Sequence, residues 1–379
     1  MTSDTRGAAH PSIGIVVGGT ISENRRKAAQ TGEQPRVDVL EMEQRFSAKV
    51  YDHDWLKARA EDEWATRLLV RAFGRFGRLS EALALRLAVE APHHDAIYAT
   101  GEDVGLLLGL ILRVAPVRRP KLVMRVEQLH YGRTPLRKGL YRAFTRLAGS
   151  GVDKFVCRTH AYERYLRDEL RFRPESVTFA PEPVDQNFFD PARVEQGRPD
   201  FVPKGPFVFS AGLEFRDYDT LVAAARDLPL EVVIAAGSPW SHNRYEMKDG
   251  VQPQNVIMRR FTPREMRELY ARAEAVVVPL FPSLRACGMN VINESSQMNC
   301  PVIATRTEGL ESYIVDGGNG VLVSAGDVAS LRSAIMAVVG KKEDFKDMTS
   351  RAHTRTTTEA PLERYVSFIY DLLSEPRSA

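Results

Sequence analysis

Residues 276–323 hold the side chains and turns whose types and spacing could do chemistry. An apolar run at 276–280 leads into a loop, then Gly288, then a helical pattern that carries Glu294. Glycine at this point lets the backbone turn tightly or approach a ligand closely. The N–H groups of Gly288, Met289 and Asn290 then fall at a helix N-terminus, where unsatisfied donors and the helix dipole favour a diphosphate. Glu294, about one turn further on, projects from the same end and can accept from ribose hydroxyls. The plainer role for a lone helical Glu is a solvent-facing residue. A second apolar run, 301–305, and a turn through Gly309, Gly317, Gly318 and Gly320 complete the stretch.

Three further positions bear on this site. Arg216 follows an apolar run at 207–210 through Ala211 and Gly212. A cation at the C-terminal edge of a parallel strand points into the crevice where open α/β sheets bind ligands, and a guanidinium can clamp two phosphate oxygens. Its ordinary alternative is an exposed ion pair with Asp217 or Asp219, and Glu214 is the expected orienting group. His130 comes just after the run 122–126, and Glu102 just after 96–100, so both loops open toward a cleft if the sheet is parallel. A satisfied structural histidine is the ordinary alternative for His130. His93 and His94 precede a strand and point to the wrong end. No GxSxG, GxxxxGK[ST], HExxH or zinc spacing occurs, which argues against hydrolase, P-loop and zincin chemistry.

The elements that must position these residues alternate along the chain. Apolar runs at 13–17, 37–40, 96–100, 122–126, 155–157 and 177–179 read as strands. Helical patterns fall within 61–89, from 103, and at 134–147 and 160–170. The alternation restarts with strands at 207–210, 232–235, 256–258, 276–280 and 301–305, and helices from 219, at 263–272 and at 362–373. Strands alternating with helices of ten or more residues predict parallel βαβ units. The Gly/Pro-rich stretch 197–206 is the expected hinge. The expected fold class is therefore α/β, with two Rossmann-like domains facing across a cleft. The first spans 1–200 and the second 206–355, and a C-terminal helix within 360–379 packs back on the first.

The chain's 379 residues suffice for two full cores, and 44% hydrophobic and 27% charged residues are ordinary for a globular protein. A net charge of +3 implies no bulk affinity for nucleic acid. Three cysteines, Cys157, Cys287 and Cys300, form no paired motif, and such a sparse, odd set points to a reducing compartment. Residues 1–12 lack the apolar core of a signal peptide, and the most apolar run, 104–112, is far short of the ~20 residues a membrane span needs. The expectation is a cytoplasmic protein.

Charge is unevenly spread: residues 113–173 hold sixteen Lys and Arg against five acids. Such a segment suits either phosphates or an anionic membrane surface, with plainly solvated helix faces as the alternative. Within 134–147, Leu136, Leu140, Phe144 and Leu147 form one stripe, with Arg137, Lys138, Arg142 and Arg146 around it. Two placements fit: an interfacial helix on the inner face of a membrane, or a core-packed helix with a basic outer face.

Taken together, these residues resemble a known family. The segments 279–283, 287–294, 301–305, 309–311 and 316–323 resemble the donor half of family 4 (group 1) glycosyltransferases. Residues 210–221 look like that family's strand-to-helix donor loop, and 183–191 like the segment leading toward its hinge. The resemblance implies a GT-B fold and transfer of a sugar from a nucleoside-diphosphate-sugar, with retention, to a glycan, lipid-linked or small-molecule acceptor. It implies that Glu294 holds the ribose, that Gly288, Met289 and Asn290 hold the diphosphate, and that Arg216, beside Gly212, binds phosphate. His130 would match the cleft-facing histidine, leaving His130, Arg216 and Glu102 as the expected catalytic set. No cofactor or metal is expected, since no DxD pair follows a strand. Two positions depart from the family: Ala286 stands where a first glutamate is usual, and only Arg216 remains of an arginine–lysine pair. A GT-B nucleotide-sugar epimerase and a nucleotide-sugar-binding protein are the alternatives.

Overall fold

The computed structural model describes residues 11–116, 118–129, 135–237, 253–283, 285 and 287–377. Each half of the chain builds one six-stranded sheet in which every pairing is parallel. The first sheet comprises β1 (Ile13–Val16), β2 (Lys49–Tyr51), β3 (Ala96–Ala99), β4 (Lys121–Val126), β5 (Lys154–Cys157) and β6 (Val177–Phe179), in the order β2-β1-β3-β4-β5-β6. The second comprises β7 (Phe207–Ala211), β8 (Glu231–Ala235), β9 (Val256–Arg259), β10 (Ala275–Val278), β11 (Val302–Thr305) and β12 (Val321–Val323), in the order β12-β11-β10-β7-β8-β9. Strands β3, Ala-Ile-Tyr-Ala, and β10, Ala-Val-Val-Val, are apolar and buried along their whole length. Parallel strands sandwiched between helix layers require this.

The strand orders fix where ligands can bind. In the second sheet the chain winds outward from β7 through β8 to β9, then returns to wind the other way from β10. The crevice at such a reversal lies beyond the C-terminal ends of the two diverging strands, here β7 and β10. The first sheet reverses between β1 and β3.

One expected strand is a helix. Residues 37–40 open the Asp38–Phe46 helix, and the ladder position beside β1 belongs to β2. A four-residue apolar run does not distinguish the two states. Val39 and Met42, three apart, turn to one face and pack on the C-terminal helix. The short strands β2 and β12 gave no run long enough to read.

The domain crossing also differs from the expected hinge. Phe188, Phe189 and Val202 are buried in the second domain's core with Phe207, Phe209 and Tyr270. The Gly/Pro-rich stretch is therefore a loop of that domain, and the chain crosses earlier. It returns beside the same point: Val184 N–H donates to Ala360 O at 2.8 Å, and Leu362 N–H to Val184 O at 3.1 Å. The Leu362–Ser374 helix then packs through Leu362, Tyr365, Val366 and Ile369 against Ile13, Ile15 and Tyr98 of the first domain. The Tyr98 and Tyr365 hydroxyls meet at 2.8 Å. Among the described residues no helix is long and apolar enough to cross a membrane.

Candidate functional site

The two loops that leave β7 and β10 lie side by side. Arg216 and Leu280 form an antiparallel bridge, Asp217 N–H donates to Pro279 O, and Phe281 N–H to Phe215 O, both at 3.0 Å. Asp217 then caps the Tyr218–Ala225 helix through Thr220 N–H. This pairing brings Arg216 across the mouth of the β7/β10 crevice.

Arg216 is buried, with 7% of its surface exposed. Its Nε donates to Ala211 O and its Nη1 to Glu214 O, each at 2.9 Å. Among the described residues no carboxylate pairs with it. The expected orienting group therefore acts through its main-chain carbonyl. The Glu214 carboxylate instead reaches the first domain, accepting from Gln128 Nε2 at 3.1 Å. The ion pair with Asp217 considered above is likewise absent, because Asp217 is used as a cap. With no carboxylate among the described residues to neutralise it, this buried cation is available to an incoming anion.

Gly212 makes room for the guanidinium, and Gly288 for the Val278 side chain beneath it. A Cβ on Gly212 would lie 2.6 Å from Arg216 Nη2. A Cβ on Gly288 would lie 2.6 Å from Val278 Cγ1, and Gly288 sits at φ +89°, where only glycine is unstrained. Gly288 is the N-cap of the Met289–Gln297 helix, which carries no side-chain cap. The amides of Met289 and Asn290 thus open the helix on the same side as Arg216, and the helix N-terminus adds a partial positive charge.

Glu294 lies further along this helix, half-buried. Burial pushes its carboxyl up to about 7, and Tyr270 donates to Oε2 at 2.7 Å. Oε1 has no hydrogen-bond partner among the described residues. A carboxylate with one oxygen fixed and the other open is suited to a diol. Cys287, adjacent to the turn, is buried and its thiol is pushed up to about 11, so it offers no thiolate.

On the facing domain, Glu102 begins the Glu102–Val114 helix after β3. Its Oε1 accepts from Glu127 N–H at 2.7 Å and Gln128 N–H at 2.8 Å. Burial raises its carboxyl to about 7. Glu102 therefore ties down the chain that leaves β4, rather than standing open in the cleft. His130 and Ala286 lie outside the described residues. The structure thus gathers Gly212, Arg216, Gly288, Met289, Asn290 and Glu294 at one crevice, and sets Glu102 across from it.

Sequence reasoning missed Tyr270, whose only signal was its place at the end of an amphipathic helix. It also missed Asn293, which donates from Nδ2 to Glu182 O at 2.6 Å, and Tyr313, whose hydroxyl donates to Arg158 O at 2.9 Å. Both anchor the second domain to residues beside the crossing.

Comparison with known proteins agrees with this geometry. Residues 212–341 match the model of the family described as "Glycosyl transferases group 1". A curated relative, D-inositol 3-phosphate glycosyltransferase of Nocardia farcinica, is 24% identical over 248 residues, covering 58% of this chain. The match spans about half (54%) of that relative's own length. Among solved structures, Anabaena HepE in complex with UDP-glucose superposes with a TM-score of 0.69 at 16% identity, covering 96% of this chain and 100% of that one. Sucrose-phosphate synthase from Thermosynechococcus elongatus gives 0.64 at 14% identity, covering 96% and 98%. These likenesses show the GT-B fold, and the family match supports a group 1 glycosyltransferase.

Proposed function

We propose that this chain transfers a sugar from a nucleoside-diphosphate-sugar to an acceptor hydroxyl entering from the first domain. The observation that carries the reading is Arg216, a buried guanidinium that donates to two main-chain carbonyls and, among the described residues, pairs with no carboxylate. It lies between two glycine turns at the reversal point of the second sheet. The diphosphate takes the place beside Arg216 and the amides of Met289 and Asn290, while Glu294 receives the ribose. As the glycosidic bond breaks, negative charge grows on the departing diphosphate, and the fixed guanidinium and helix N-terminus stabilise it there. These groups supply the positive charge that a divalent metal supplies elsewhere, so transfer in the presence of EDTA is part of the proposal.

Retention of anomeric configuration rests on the likeness of residues 287–294 to the family 4 pattern. A uridine diphosphate sugar is the first donor to test, since HepE is complexed with UDP-glucose. Thermal-shift screening of UDP-, GDP- and ADP-sugars identifies the donor, and NMR of the product anomer decides retention. Stabilisation by no nucleotide-sugar would defeat the reading. Release of an epimerised sugar without acceptor would favour the epimerase, and binding without turnover the binding protein.

A further inference from the structure

We propose that the Pro135–Gly149 helix is an interfacial element that seats the first domain on an anionic lipid bilayer. Leu136, Leu140, Phe144 and Leu147 are 74%, 64%, 43% and 56% exposed. Spaced four, four and three apart, they fall within a stripe about 80° wide along a helix about 22 Å long. The opposite side, with Thr145, Ala148 and Gly149 buried, is what packs on the domain. Of the two placements the sequence allowed, the core-packed one is therefore excluded: the apolar stripe faces outward.

The charge beside the stripe identifies the occupant. Arg137 and Arg146 fall about 20° and about 80° outside the two edges of the stripe, Lys138 and Arg142 lie on the opposite side of the helix, and residues 135–149 contain no acid. Arg142 is bonded to Glu169 from the next helical segment. A second stretch of the first domain repeats the composition: Trp64, Leu68 and Phe76 are 77%, 60% and 77% exposed. Residues 64–78 hold Arg67, Arg71, Arg75 and Arg78 and no acid. Arg67 bonds the carbonyls of Ala60 and Glu61, and Arg78 pairs with Glu81.

A second copy of the chain is a poor partner for this face. A two-fold contact sets each patch against itself and would place these cations against the same cations. A bilayer with anionic headgroups satisfies both parts at once, accepting Leu and Phe into the acyl boundary and the cations at the headgroups. The helix also begins beyond the C-terminal edge of β4, the edge that faces the cleft. A docked chain therefore keeps its cleft near the lipid surface. The inference rests on this surface and stands apart from the sugar-transfer reading.

The test is co-sedimentation of the full chain with vesicles of phosphatidylcholine alone and of phosphatidylcholine mixed with phosphatidylglycerol. The expected result is pelleting with the mixed vesicles only, weakened by salt. In Arg137→Gln and Arg146→Gln variants binding falls about fivefold per charge. Leu140→Ser with Leu147→Ser should abolish pelleting and leave the circular-dichroism spectrum and cooperative thermal melting intact, which shows that the variant is folded. Absence of wild-type pelleting, equal pelleting with neutral vesicles, or an unchanged double variant each overturns the proposal. So does sedimentation velocity showing a wild-type dimer that the double variant dissolves, because the stripe would then belong to a second copy.

Discussion

Tyr270 and Glu294 face each other from the Pro263–Arg272 and Met289–Gln297 helices, and the Tyr270 hydroxyl donates to Glu294 Oε2 at 2.7 Å. Tyr270 is itself fully buried, edge-on to Phe209 with ring centroids 5.0 Å apart. The phenol therefore cannot follow the carboxylate, and the bond fixes the rotation at which Oε1 is presented.

Removing the two groups should give graded losses. Tyr270→Phe is expected to weaken UDP binding by about 1 kcal/mol, the net value of one hydrogen bond. Glu294→Ala removes charge-assisted bonds to the ribose and should cost about 1.5–3 kcal/mol. Isothermal titration with UDP measures both, and an unchanged affinity in Glu294→Ala would remove the ribose assignment.

Arg216 is assigned to the diphosphate, so its replacement should discriminate between ligands. Arg216→Ala is expected to weaken UDP more than UMP, because the distal phosphate loses its partner. Transfer should fall further than affinity does, by about 10²-fold or more, since charge on the leaving group peaks in the transition state. Arg216→Lys keeps the charge but not the planar fork, and should recover only part of the loss. Equal losses for UDP and UMP would place Arg216 in a purely structural role, tying the loops after β7 and β10.

The raised carboxyls make pH a probe of the same site. Burial lifts Glu294 from 4.5 to about 7, so the folded chain holds a proton that the unfolded chain has released. This contribution to stability is complete below the unfolded value and is lost as pH rises through about 7. The ligand-free melting temperature should therefore decline across that range, and Glu294→Gln should flatten the decline. Ribose hydroxyls donate to the ionised form, so UDP should bind more tightly above pH 7 than below it and release a proton on binding. Titrations in buffers of different ionisation enthalpy count that proton. Tighter binding on acidification would contradict the role given to the carboxylate.

Much of the β7/β10 crevice was legible because its constraints are local. Gly288 must turn at positive φ, the helix must start there, and Arg216 must follow a strand; each is written within a few adjacent residues. The reversal between β7 and β10 was less legible, since strand order depends on pairings between distant segments. The misread helix at Asp38 shows the limit of short apolar runs. Its identity is settled by packing against Leu362 and Val366, more than three hundred residues away in sequence. The hinge was misplaced for a related reason. Gly and Pro mark irregular chain, but only the burial of Phe188 and Val202 shows to which domain that chain belongs. Composition likewise did not determine which way Leu140 and Phe144 point, because an apolar stripe on a helix serves a core and an interface equally well.

Glu102 separates a positioning role from a chemical one. Its carboxylate oxygen receives two backbone N–H groups of the chain leaving β4, and burial raises the carboxyl to about 7. Glu102→Gln keeps an acceptor oxygen in the same place, and a neutral amide suits the buried site. That variant should retain transfer activity and melt at least as high as the parent at about pH 8, where the native carboxyl must ionise at a cost. Glu102→Ala leaves both N–H groups without their partner and should lose about 1–3 kcal/mol of stability. It should also slow transfer, because Gln128, which this bond holds, reaches Glu214 of the second domain, while UDP affinity stays unchanged because Glu102 belongs to the opposite domain. If Glu102→Gln abolishes transfer with its stability intact, the carboxyl takes part in the reaction itself and the positioning role is wrong.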